Sequence, residues 1–135
     1  MSPTLWDHEP LKGTGWLFIE FPEFSRVRDD YFRSDEAFAA AQLELIQSPE
    51  GGDPMPGCGG VRKLRRPDPR RGKGKRGGLR LIYLQVPEVR VIVLIDVYDK
   101  DEKDDLTPKE KRAVQSLAML IKRELFARFG RVRGK

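Results

Sequence analysis

The segment Val89–Tyr98 (VRVIVLIDVY) constrains the fold more than any other part of the chain. Its odd positions, Val89, Val91, Val93, Ile95 and Val97, are all apolar and β-branched. Successive side chains of a strand point to opposite faces, so this set shares one face, and that face must be buried. The even positions, Arg90, Ile92, Leu94, Asp96 and Tyr98, make a mixed face that turns polar at both ends. Such a segment belongs in the middle of a sheet.

Its partners can be read on either side. Leu79–Val86 (LRLIYLQV) is a second strong strand, joined to the first through Pro87 and Glu88. Gly60–Arg66 alternates Val61, Lys63 and Arg65 against Arg62, Leu64 and Arg66, so one of its faces meets water or phosphate. Pro67–Gly78 (PDPRRGKGKRGG) is a basic loop punctuated by glycine and proline, and reads as a hairpin tip. Near the start, Trp16–Phe21 (WLFIEF) reads as a strand closed by Pro22.

Helices fill the remaining intervals. Phe24, Val27 and Tyr31 recur at spacings of three and four, the signature of a short helix with one buried face. Ser34 is a helix N-cap followed by Asp35 and Glu36, whose charges suit the first turn. Phe38, Ala41, Leu45 and Ile46 make the apolar stripe of this second helix, which stops before Pro49. Gly51–Gly60 (GGDPMPGCGG), with five glycines and two prolines, reads as a structured loop. Thr107-Pro108-Lys109-Glu110 is a capping box with proline at the first helical position. It opens a long helix with the stripe Val114, Leu117, Leu120, Ile121 and Leu125. The order β-α-α-β-β-β-α predicts an α+β fold, an antiparallel twisted sheet with helices packed on one face and the other face open. Residues 1–15 are expected to be a flexible extension, 16–127 the folded domain and 128–135 a basic tail.

The chain's 135 residues suit one core. Its longest uncharged apolar stretch, Val91–Ile95, is far below the ~20 residues of a membrane helix, and no signal segment opens it. A soluble, cytoplasmic protein without membrane contact is expected. One cysteine, Cys58, and one histidine, His8, cannot supply an internal disulfide or a zinc cluster. No metal or cofactor is called for. The same scarcity excludes two-histidine acid–base catalysis and disfavours a Ser-His-Asp triad, leaving Arg, Lys, Asp, Glu and Tyr to carry any chemistry.

Charge then points to a partner. The window Val61–Arg80 holds ten basic residues and one acid, net +9 in a chain of net +5, so the remainder carries −4. These ten are Arg62, Lys63, Arg65, Arg66, Arg70, Arg71, Lys73, Lys75, Arg76 and Arg80. One concentrated cationic segment on a mildly acidic body is the footprint of a polyanion partner, nucleic acid before membrane. A solvated basic loop is the bland alternative. Arg80 is rooted in a strand; beside Lys63 and Arg65 it can grip a phosphate and neutralise charge developing there, or it can pair with Asp96 across the sheet. Lys63 and Lys73 are candidate bases only where nearby positive charge favours their neutral form. Tyr98 can donate to a phosphate, stack on a base, or serve the core.

Two motifs are set aside. The run GKGKRGG lacks the Lys-Ser/Thr ending and the following helix of a P-loop. The cluster Asp99–Asp105 (DKDEKDD) lacks the glycine and the closing glutamate of a calcium loop. A DNA-binding regulator is disfavoured because no helix carries the basic cluster.

Taken in order, FIEFPEF at Phe18–Phe24, GGDPMPGCGGVRKLR at Gly51–Arg65, GKGKRGGLRLIY at Gly72–Tyr83 and VYDKDEKDDLTPKEK at Val97–Lys111 resemble the HigB-like branch of the RelE toxin superfamily. The likeness runs from about Trp16 to Leu125. It implies the toxin of a type II toxin–antitoxin module: a metal-independent endoribonuclease that enters the A site of the 70S ribosome, beside ribosomal RNA, and cuts mRNA by attack of the ribose 2′-OH on the adjacent phosphate. It also implies a cognate antitoxin, typically with a helix-turn-helix DNA-binding domain. Through the resemblance, Arg80 matches the phosphate-stabilising arginine, and Lys63 and Arg65 the paired basic strand positions. Lys73, Lys75 and Arg76 match the basic loop that holds RNA backbone, with Arg62, Arg66, Arg70 and Arg71 around it. Tyr98, Lys100 and Lys103 occupy the region of the family's later catalytic arginine and terminal tyrosine. The alternative is a module of the same fold that binds RNA or antitoxin without cutting.

Overall fold

A computed structural model describes residues 14–67, 78–100 and 105–130. Residues 1–13 of the expected 1–15 extension, the last five residues, and Arg70, Arg71, Lys73, Lys75, Arg76 and Lys103 lie outside the described residues. The order is β1 (Leu17–Glu20), α1 (Pro22–Tyr31), α2 (Asp35–Gln47), β2 (Asp53–Pro54), β3 (Val61–Arg66), β4 (Leu79–Val86), β5 (Val91–Asp99) and α3 (Pro108–Leu125). The fold class is α+β, and the strands form one sheet in the order β1-β5-β4-β3-β2.

The local signals act as expected. Ser34 Oγ accepts the amide of Ala37 at 3.1 Å and starts α2. Thr107 and Glu110 close a reciprocal capping box, Thr107 N to Glu110 Oε1 at 2.8 Å and Glu110 N to Thr107 Oγ1 at 3.1 Å. Each satisfies amides that a helix start leaves without intrahelical partners.

The sheet departs from the expectation in two ways. It is mixed, because β1 runs parallel to β5, Leu17 opposite Val91 through Glu20 opposite Leu94. The two helices that follow β1 carry the chain away from that edge, and β5 returns beside it in the same direction. Nor do the helices share one face. Ile92, Leu94, Leu79, Leu81 and Tyr83 form a core with Phe24, Tyr31, Ala41 and Leu45 of α1 and α2. Val91, Val93, Ile95, Ile82 and Leu84 form a second core on the opposite face with Ala118, Ile121 and Leu125 of α3. Both faces of β4 and β5 are apolar, so both require cover; an open face would have left Val91, Val93 and Leu84 in water.

Smaller differences have local causes. Asp53 and Pro54 of the glycine-rich loop pair with Lys63 and Arg62 as a two-residue edge strand. Val89 belongs to a 3-10 turn, Pro87–Val89, and Arg90 follows in the left-handed region at φ 57°, so β5 begins at Val91. In α3 the buried position next to Leu117 is Ala118, whereas Leu120 is 49% exposed. Arg128 lies in a π-helical turn, Phe126–Gly130, that continues α3, and so belongs to the helix end rather than to a tail.

The alternation of β5 is broken once, and the break matters. Ile82 lies opposite Asp96 and Tyr83 opposite Leu94, so Ile95 is an extra residue, a β-bulge. Beyond it the phase inverts: Val97 joins the α1/α2 core and Tyr98 joins the α3 core. The strict odd/even reading of Val89–Tyr98 therefore holds only up to Ile95.

On the α1/α2 face the Tyr83 hydroxyl donates to Pro49 O at 2.7 Å and accepts from Gly52 N at 3.0 Å, pinning the start of the glycine-rich loop. A methyl group on Gly52 would come within 2.9 Å of the Tyr83 ring. Tyr83→Phe should cost about 1–3 kcal/mol in denaturant unfolding, because it orphans a buried amide and a carbonyl together.

Candidate functional site

The hairpin β3–β4 and strand β5 arrange the basic residues in cross-strand rows. Arg65 is opposite Arg80, and Arg80 is opposite Tyr98. One row further, Lys63 is opposite Ile82 and Ile82 opposite Asp96. Arg80 and Ile82 share a face of β4 by alternation, and Ile82 belongs to the α3 core, so Lys63, Arg65, Arg80 and Tyr98 all lie on the α3 face of the sheet. Lys100 follows β5 directly, its amide donating to Gly78 O at 2.9 Å at the hairpin end of the same region.

The other strand cations go elsewhere. Arg62 Nη1 donates to the carbonyls of Gly52 at 2.7 Å and Glu50 at 3.2 Å. Arg66 Nε pairs with Glu44 of α2 at 2.8 Å. Both are on the α1/α2 face and tie β3 to the neighbouring loop and helix. The structure thus divides the strand part of the cationic cluster into a row and a pair of braces.

Placing Arg65 directly opposite Arg80 is unfavourable for the sheet, since like charges on facing strand positions repel. Asp96 does not face Arg80 in the ladder; its register partner is Ile82, and its Oδ1 accepts from Val97 N at 2.9 Å beside the bulge. The expected alternative of an Arg80–Asp96 pair directly across the sheet is therefore not the register observed.

At the start of α3, Asp105 bridges two cations, Lys63 at 3.4 Å and Lys111 at 3.0 Å. Burial pushes its carboxyl pKa up, but the Lys111 hydrogen bond, the Leu106 amide and the charges of Lys63 and Lys111 outweigh that and hold it below the usual value. This cluster pins the helix start to β3. It also engages Lys63 in an ion pair.

Tyr98 is 5% exposed. Burial, then the charges of Asp105 and Asp96, push its phenol up to about 12 against the opposing pull of Arg80. It is therefore neutral near pH 7, a donor and not a base. Cys58 is buried and its thiol is also raised, first by burial, which gives a packed and unreactive sulfur.

Next to these rows, α3 and the sheet enclose a cleft of about 230 Å³. Its apolar lining includes Phe21, Ile82, Ile95 and Val114, and Glu23, Asp96 and Glu110 also line it. Sequence reasoning did not find it. Glu110 was legible as a cap and Asp96 as a strand position, but only the bulge and the placement of α3 bring them to one opening. Among the described residues, no group of three or more His, Cys, Asp or Glu could hold a metal ion, and no helix is long and apolar enough to cross a membrane.

The rows generate two predictions. Arg65→Gln should leave stability unchanged or raise it by up to ~0.5 kcal/mol, by relieving repulsion with Arg80, whereas Arg66→Gln should lower it by about 0.2–1 kcal/mol by breaking the Glu44 pair. Urea unfolding of the two variants compares them directly. In an alkaline titration followed by phenolate absorbance, Tyr98 should ionise last, near the value of about 12 and above its ordinary 10.0. Because the folded state retains this proton longer than the unfolded chain, the associated stability is full below the ordinary value and is lost as pH rises towards 12. Tyr98→Phe should remove both the late phenolate step and that part of the alkaline destabilisation.

No protein-family model matches the chain. Among solved structures, it is similar to a mutant of the E. coli toxin RelE in the free state, with 16% sequence identity over 67% of this chain and 88% of that chain and a TM-score of 0.43.

Proposed function

We propose that this chain is a RelE-superfamily toxin of the HigB-like branch, with residues 16–127 as the toxin domain, and that it cuts mRNA in the ribosomal A site. The observation that carries the reading is Arg65 opposite Arg80 with Lys63 one row away: cations grouped on one face of the sheet. The four ordered sequence motifs supply the family. The proposed setting is the cytoplasm, and the proposed protein partner is a cognate antitoxin with a helix-turn-helix domain.

The chemistry asks little of the protein beyond charge and position. The ribose 2′-OH attacks the adjacent phosphorus, the P–O5′ bond breaks, and a cyclic phosphate and a 5′-hydroxyl result. Negative charge grows on the non-bridging oxygens during attack. Arg80 and Arg65 are placed to stabilise it, and a preorganised guanidinium in a partly dry site does so without reorganisation. The Tyr98 hydroxyl is buried within the α3 core, so this residue supports the row from beneath and does not meet RNA. Lys63, held by Asp105, adds positive charge. Lys100 sits at the hairpin end, where it can meet the flanking backbone. The same backbone role is proposed for Arg70, Arg71, Lys73, Lys75, Arg76 and Lys103. The ribosome orients the mRNA, which removes much of the entropic cost of in-line attack. Arg62 and Arg66 are braces on the far face and are not assigned to RNA.

The test is a cell-free bacterial translation reaction with mRNA ends mapped by primer extension. Wild-type protein should cut in frame with codons, leave naked mRNA intact, and lose about 10²–10³-fold in rate on Arg80→Ala, with circular dichroism unchanged. Intact mRNA from folded wild-type protein would overturn the reading and leave a non-catalytic module that binds RNA or antitoxin.

A further inference from the structure

The cleft between α3 and the sheet begins where the cationic row ends. Arg80 and Ile82 are alternate residues on one face of β4, so the floor of the cleft starts about 7 Å from the row. The two surfaces have opposite character. The row carries Arg65 and Arg80, while Glu23, Asp96 and Glu110 join Ile82, Ile95 and Val114 in lining the cleft. A phosphate is attracted to the first and repelled by the second. A flat, uncharged ring with hydrogen-bond donors suits the second, because apolar walls cover its faces and carboxylates accept at its edge.

We propose that this cleft receives one base of the bound RNA and selects bases with an exocyclic amino group over uracil. The proposal rests on the RNA reading above and names a specificity determinant within it. A volume of about 230 Å³ admits one base and its approach. Adenine and cytosine present an amino group, and guanine presents an amino group beside a ring N–H; an ionised carboxylate can only accept, so each finds a partner. Uracil offers a single donor, its ring N–H, flanked on both sides by carbonyl oxygens that the carboxylate oxygens repel, so it is held more weakly. The Asp96 Oδ1 bond to Val97 N orients that carboxylate, and the capping-box bond from Thr107 N orients Glu110.

The experiment is a titration of the ¹⁵N-labelled full chain with 5′-AMP, 5′-GMP, 5′-CMP and 5′-UMP, followed by amide shifts. These probes carry the phosphate and the base, and need neither ribosome nor cleavage. The amino-bearing nucleotides should shift Ile82, Asp96 and Val114 and bind roughly tenfold more tightly than UMP. Asp96→Asn, which adds a donor while retaining Oδ1, should bring UMP to within about threefold of the others. Ala113→Trp, substituted from an exposed position that lines the cleft, should abolish the discrimination while phosphate-dependent shifts near Arg80 persist. Equal affinity for all four nucleotides, shifts confined to the Arg65–Arg80 row, or no binding would each overturn the inference. Cleavage in the translation assay together with base-blind binding here would remove the selectivity and leave the nuclease standing; selective binding without cleavage would do the reverse.

Discussion

The structure depends on one constraint: β4 and β5 are apolar on both faces, so the sheet cannot be stable with either face in water. Each fully buried Leu, Ile or Val in that pair is worth about 1.5–3 kcal/mol relative to exposure, and the residues concerned are shared between two cores. α1 and α2 close one face around Phe24, Phe32 and Phe38, whose ring centroids lie 5.4–6.4 Å apart. α3 closes the other. Its capping box and the Asp105 bridge to Lys63 fix where that helix starts, and therefore how much of the sheet it covers.

What α3 covers and what it does not make the candidate site. On the same sheet face, the rows near the helix are Val61, Leu84 and Val93, and the rows towards the hairpin end carry Lys63, Arg65 and Arg80, with Tyr98 buried beside them. The cationic row is thus built on strands whose far ends are anchored in a core. A guanidinium on such a strand is positioned more tightly than one on a loop, which is what charge stabilisation in a transition state requires. Arg65 and Arg80 face each other as like charges in the ladder, an arrangement that sheet stability alone does not favour.

Much of the architecture was legible because local signals and the fold agree. Proline and Ser/Thr caps set the helix starts, alternation set the four longer strands, and the expected β-α-α-β-β-β-α order holds apart from the added two-residue edge strand Asp53–Pro54. Alternation alone grouped Lys63 with Arg65 on one face of β3; that Arg80 shares that face was decided by the pairing register. The side taken by Tyr98 was not legible, because the bulge at Ile95 inverts the phase and nothing in VRVIVLIDVY marks it. Leu120 read as core by spacing, but the helix presents Ala118 instead, where the close approach of Gly59 in the glycine-rich loop favours a small side chain. Arg62 and Arg66 counted towards a basic cluster in the sequence and proved to be braces to Gly52 and Glu44, contacts that join segments distant along the chain.

By itself the sequence determined the three helices, the four longer strands and their order, the buried face of β5 up to the bulge, and a cationic segment on an otherwise acidic body. These are short-range properties, set by dihedral preference, capping and periodicity. Only the tertiary structure decided that the helices divide between two faces, that β1 joins β5 in parallel, and that Glu23, Asp96 and Glu110 meet at one cleft beside Arg80. Those outcomes depend on which surfaces bury one another, and burial is a property of the whole packed chain.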